Sequence, residues 1–136
     1  MSRRRGRKQA FLALFQSDLN GMPPDAVIDR WVYYRGEFVD YARRLVSGIE
    51  EELDDLDARL TEVSVGWPVH RMSVVDRTIL RLALYEMLHV EDVPPEVAIS
   101  EAVELAIGFS GEESPAFVSG VLRGAEKQIQ NKVEHG

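Results

Sequence analysis

The chain begins MSRRRGRK, and its densest chemistry is there: Arg3, Arg4, Arg5, Arg7 and Lys8 stand within eight residues, with no acid among them. The whole protein of 136 residues nevertheless carries a formal net charge of -7. A basic start is thus set against an acidic body, an asymmetry that points to a polyanionic partner engaged at one place. The planar fork of arginine matches phosphate oxygens, and each phosphate neutralised releases counterions, so such a cluster suits RNA or DNA. The same residues also suit a solvated terminus, or one resting on the chain's own acids. A membrane surface fits less well, because the aromatics that follow lie on the core-facing stripe of a helix.

Little else in the chain has the spacing of a reactive centre. There is no cysteine, which excludes disulfides, thiolate metal sites and a cysteine nucleophile. His70, His89 and His135 lie far apart and lack metal-ligand spacing. The acids Glu50 to Glu52 and Asp54-Asp55 fall on a helical stretch and read as a solvated face. Glu86 and Glu101 sit among apolar residues, where a carboxylate is either paired with Arg77 or Arg81 or serves as a general acid. No glycine-rich phosphate loop, nucleophile elbow or dinucleotide fingerprint occurs. The expectation is a non-enzyme with no cofactor and no metal.

The elements that position the basic start are helical. Ala10, Phe11, Leu14 and Phe15 mark one face of a first helix, which Arg4 and Lys8 can join, ending near Asn20-Gly21. Ala26 to Val32 suits a short second helix. Apolar residues from Phe38 through Leu45, Ile49, Leu53, Leu56, Leu60 and Val63 step by three and four. They form one long helix or two joined near Ser47-Gly48. Ser73 reads as an N-cap with Asp76 in the first turn, opening a helix through Leu88. Pro94-Pro95 opens the next helix, which closes at Ser110-Gly111, and Ser114-Pro115 reads as the cap and first turn of the last. The tail 131–136 is polar and expected to fray. One domain over 1–136 is predicted, an all-α compact bundle of about seven helices. AFLALF is too short for a secretory signal, and no apolar run approaches the roughly 18–20 residues of a membrane span, so a cytoplasmic protein is expected.

Three stretches together resemble the NusB-type transcription antitermination factors: RRRGRKQAFLALF; Trp67 and Arg71 followed by VVDRTILRLALYEM; and VPPEVAISEAVELAIGFSGEESPAFVSGVL. The resemblance spans essentially the whole chain. It implies a NusB-like helical fold and a scaffold role in antitermination. The partners it implies are boxA-type single-stranded RNA and the small-subunit ribosomal protein known as NusE, with other Nus factors and RNA polymerase engaged indirectly during ribosomal RNA transcription. By position it assigns RNA binding to Arg3, Arg4, Arg5, Arg7 and Lys8, and to Glu113 and Phe117 around the start of the last helix. It assigns partner-protein binding to Phe15 and Asp76. Phe15 and Phe117 also fit the core by spacing, and Asp76 also fits a first-turn helix acid.

The chain departs from the family pattern at several places. Ser100 and Ser119 stand where asparagine is usual, Ile107 where lysine is usual, and Arg123 where aspartate is usual. Two other readings go with the same fold: a protein-interaction module or homodimer that binds RNA weakly, and a helper domain for a ribosomal-RNA methyltransferase. The chain has no segment suited to the methyl donor.

Overall fold

A computed structural model describes the backbone of residues 3–135 and the side chains of 3–132. Among the described residues there are seven α-helices and no strand: α1 (Arg3–Asn20), α2 (Pro24–Arg35), α3 (Asp40–Glu51), α4 (Leu53–Val63), α5 (Val74–His89), α6 (Pro95–Phe109) and α7 (Ser114–His135), with a 3-10 turn at Val69–Arg71 before α5. The all-helical fold read from apolar spacing is therefore the one observed. None of these helices is long and apolar enough to cross a membrane.

α5 is the hub. It packs against α1, α3, α4, α6 and α7, and eight of its residues, from Thr78 to Glu86, are buried. A helix surrounded on most sides must be apolar over most of its circumference, which TILRLALYE supplies. Around it, α1 lies on α3 and α6 lies on α7. One core results, with Phe11, Leu45, Leu56, Leu60, Ile79, Leu82, Leu84 and Leu122 almost wholly withdrawn from solvent.

Local chemistry explains the ends. Ser73 is extended (φ -60°, ψ 154°), and its hydroxyl accepts from the Asp76 amide at 3.1 Å, as its type and place suggested. α2 runs to Arg35, beyond Val32, and stops at Gly36, whose φ of 97° suits glycine. The long apolar series is two helices, and the break falls at Glu52 rather than near Ser47-Gly48. Gly48 lies within α3, where its missing side chain admits a neighbour: a Cβ there would lie 2.0 Å from the Tyr85 hydroxyl. The break also shifts the phase of the stripe, leaving Leu53 36% exposed. Ser114 does not precede the last helix but begins it, and its hydroxyl turns to another task. α7 continues past Asn131 to His135, and Gly136 lies outside the described residues.

Candidate nucleic-acid interface

The basic start is helix. From Arg3 onward it forms the first two turns of α1, so side-chain fate is set by helical phase. One side of this segment presses on α3 at Gly6, where an added Cβ would come within 3.0 Å of the Tyr41 ring. That close approach carries the neighbouring Arg7 into the core.

Arg7 is only 5% exposed. Its Nε and Nη2 donate to the two Glu86 oxygens, both at 2.7 Å, and Nη1 donates to Glu101 at 3.0 Å. The Tyr41 hydroxyl donates to the same Glu86 carboxylate at 2.5 Å. Burial pushes the Tyr41 pKa up, and the hydrogen bond and charge of Glu86 add to this, taking it to about 12. For Arg7, burial is the largest effect and opposes the charged form, but the hydrogen bonds and charge of Glu86, together with the charges of Tyr41 and Glu101, outweigh it and the pKa is raised. Buried and bound to two carboxylates of the chain itself, Arg7 is placed as a strut between α1, α5 and α6. Glu86 and Glu101 are indeed paired carboxylates, but their partners are Arg7 and Arg4 rather than Arg77 and Arg81. Those two arginines instead hold Asp18 and Asp57.

The other cations of the segment point outward. Arg4 and Lys8 are exposed, one turn apart on α1. They line a groove of about 210 Å³ with Arg7, Glu101, Glu104, Leu105 and Phe109. Arg4 grips Glu101 through Nε at 3.1 Å and Nη2 at 2.9 Å. The hydrogen bond from Arg4 holds the Glu101 carboxyl below its ordinary pKa, and the charges of Arg4 and Arg7 reinforce it against a smaller, opposing effect of burial. The Lys8 ammonium stands 6.0 Å over the Phe109 ring. On the opposite flank, Arg3 lies over Tyr41 and Arg5 reaches Glu37.

Phe109 links this edge to the start of α7. It packs 5.0 Å from Phe11, which stacks in turn on Phe15 at 6.0 Å. Beyond Phe109 comes Ser110, whose hydroxyl donates to Asp76 at 3.0 Å, as does that of Ser114 at 3.2 Å. The two hydroxyls also lie 2.7 Å apart, so two protons serve three contacts and pin the α6–α7 turn to the start of α5. Beside them, Trp67, Asp76, Glu113, Ser114 and Phe117 line an open cleft of about 420 Å³.

The chain's full sequence, matched to known families, fits the NusB family model over residues 4–127. The chain belongs to the NusB family. It is 68% identical over 136 residues to the transcription antitermination protein NusB of Rubrobacter xylanophilus, spanning 100% of this chain and 98% of that one. Its fold superposes on NusB of T. maritima with a TM-score of 0.83 at 38% identity, covering 93% of this chain and 92% of the other. It also superposes, at 26% identity and a TM-score of 0.82, on a chain from the structure of antitermination factors NusB and NusE in complex with dsRNA, covering 94% and 99%. The protein is thus a transcription antitermination factor, of a family that is not enzymatic.

In this NusB-family chain the residues singled out in the sequence fall into four groups. Arg4, Lys8, Glu113 and Phe117 lie on exposed or half-buried surface. Phe15 and Asp76 are half-buried beside them, Phe15 against the core and Asp76 on its two serines. Arg3 and Arg5 occupy the other flank, and Arg7 is interior. Two aromatics on this surface, Phe109 at 42% and Trp67 at 49% exposed, are not among the candidate binding residues read from the sequence. Periodicity shows which side of a helix faces inward but not where the helix outruns the core, and Phe109 is the last residue of α6.

Proposed function

We propose that this chain supports antitermination by binding boxA-type single-stranded RNA together with a small-subunit ribosomal protein in the NusE role, in the cytoplasm, during ribosomal RNA transcription. One observation carries the reading: the groove of Arg4, Lys8 and Phe109 and the cleft of Trp67, Glu113 and Phe117 are tied together by Ser110, which follows Phe109 and bonds Ser114 of the cleft. Cations along a groove with interspersed aromatic faces are what a flexible strand requires, phosphates to the guanidiniums and bases to the rings. Asp76 and Phe15 lie next to that path, so a partner protein docked there touches the strand as well. The acidic body favours a basic ribosomal protein, since opposite potentials speed and orient encounter. A relative of similar fold was seen with NusE and dsRNA. That agrees in partner classes and leaves strandedness to be measured.

The test is reconstitution. The purified chain, its cognate ribosomal partner and a labelled boxA-like strand are mixed at moderate salt and separated by size. A ternary complex, competed more strongly by the single strand than by its duplex, is the expected result. Absence of any complex refutes the reading.

A further inference from the structure

Each outward arginine near the start of α1 is already gripped by a carboxylate from another part of the chain. Arg3 Nη2 meets Asp92, in the α5–α6 turn, at 2.6 Å. Arg4 meets Glu101 of α6 through both prongs of its fork. Arg5 Nη1 meets Glu37, between α2 and α3, at 3.4 Å. Three acids from three segments therefore converge on one turn of helix. That turn holds no acid of its own, although a helix N-terminus is itself positive. The acids supply from outside the negative charge that this turn lacks.

We propose that Asp92, Glu101 and Glu37 serve as internal stand-ins for RNA phosphates, so that a strand binds this end of α1 by displacing them. This rests on the RNA-binding reading above and adds to it a set of residues that fix how tightly the grip holds. A carboxylate and a phosphate present the same pair of oxygens to a guanidinium, so they compete for one position. The exchange has two consequences. The arginines are kept extended and spread before RNA arrives, which reduces the side-chain entropy lost on binding. The free chain also holds any polyanion weakly, because each phosphate contact replaces an existing pair. Stable capture then requires the neighbouring contacts from the rings and from the ribosomal partner. The pairs are suited to exchange: Arg3 and Asp92 are 39% and 72% exposed at their side chains, and Arg5 and Glu37 are 55% and 68% exposed. The hold on Arg3 is also incomplete, since its Nη1 is turned inward without an acceptor among the described residues. Glu101 differs, because it also binds the interior Arg7.

The experiment uses Asp92→Asn with Glu37→Gln, two exposed positions whose change leaves the core intact. Binding of the full chain to a labelled oligouridine strand is measured at low salt. The control is Glu51→Gln with Glu62→Gln, an equal change of net charge at exposed positions on α3 and α4. Exposed pairs of this kind are each worth little, so the double variant is expected to bind roughly 2- to 30-fold more tightly than the native chain. The control is expected to gain far less. In an Arg3→Ala background the Asp92→Asn gain is expected to vanish. Equal gains in the double variant and the control overturn the proposal, as does an Asp92→Asn gain that survives without Arg3. Either result leaves the ternary complex with boxA-like RNA untouched, so failure here is distinct from failure of the function itself.

Discussion

Arg7 and Glu86, 79 residues apart in sequence, meet inside the bundle through two parallel hydrogen bonds of 2.7 Å. Glu86 has none of its surface exposed and lies on α5, the helix that every major layer touches. The pair thus ties the start of α1 to the hub, and everything that α1 presents to solvent is placed by it.

Removing either partner leaves a buried charge without its main counterion, so Arg7→Ala or Glu86→Ala is expected to cost about 3–5 kcal/mol of folding stability. Arg7→Lys restores the charge but not the fork and should recover only part of that loss. Denaturant unfolding monitored by circular dichroism measures each. A loss below about 1 kcal/mol for both alanine variants would show that the bridge is not a strut.

Tyr41 gives the same network a signature in alkali. Its folded pKa, about 12, lies above the ordinary value of 10.0. The folded state therefore keeps the phenolic proton after the unfolded state has released it. The stability that this provides is complete below pH 10.0 and is lost as pH rises through about 12. The native chain should thus lose stability more steeply than Tyr41→Phe across that window. Denaturation midpoints taken along the window for both proteins decide the matter, and parallel curves would contradict it.

The architecture was legible in the sequence because helices announce themselves through spacing and capping. Ser73 and Pro95 begin elements where their backbone chemistry requires. The site was less legible, for a physical reason. Five cations within six residues look alike in one dimension, yet α1 turns Arg7 inward at Gly6 while Arg4 and Lys8 stay outside. Which acid meets which base depends on tertiary approach, so the sequence points Glu86 and Glu101 to Arg77 or Arg81, whereas their partners come from α1. Gly48 posed the same difficulty, since the ring that requires it lies on another helix.

At Gly48 the required space can be measured. A Cβ would fall 2.0 Å from the Tyr85 hydroxyl and 2.2 Å from the ring carbon that bears it. Gly48→Ala forces one helix or the ring to move, at a cost of about 1–3 kcal/mol despite the better helix propensity of alanine. Shortening the ring by Tyr85→Leu removes the clash, so the double variant should lose less than the two single changes together. Thermal or denaturant unfolding of the four proteins gives the coupling, and strict additivity would place the constraint elsewhere.

Lys8 and Phe117 separate the two kinds of contact proposed for the RNA surface. Lys8 contributes charge beside Phe109, whereas Phe117 contributes a ring in the cleft with Trp67 and Glu113. If Lys8 neutralises one phosphate, Lys8→Ala should reduce the slope of log affinity against log salt by about 0.7. If Phe117 stacks on a base, Phe117→Ala should weaken binding by about 1–3 kcal/mol and leave that slope unchanged. Phe117 also packs against the core, so its loss of affinity must be compared with unfolding data for the same variant. Phe117→Tyr, which keeps a stacking face, is the companion change and should retain most of the affinity. Titrations of the ternary complex at several salt concentrations report both quantities at once. A Phe117→Ala variant that stays folded and binds RNA with native affinity would remove the cleft from the path of the strand, leaving the groove beside Lys8 as the remaining contact.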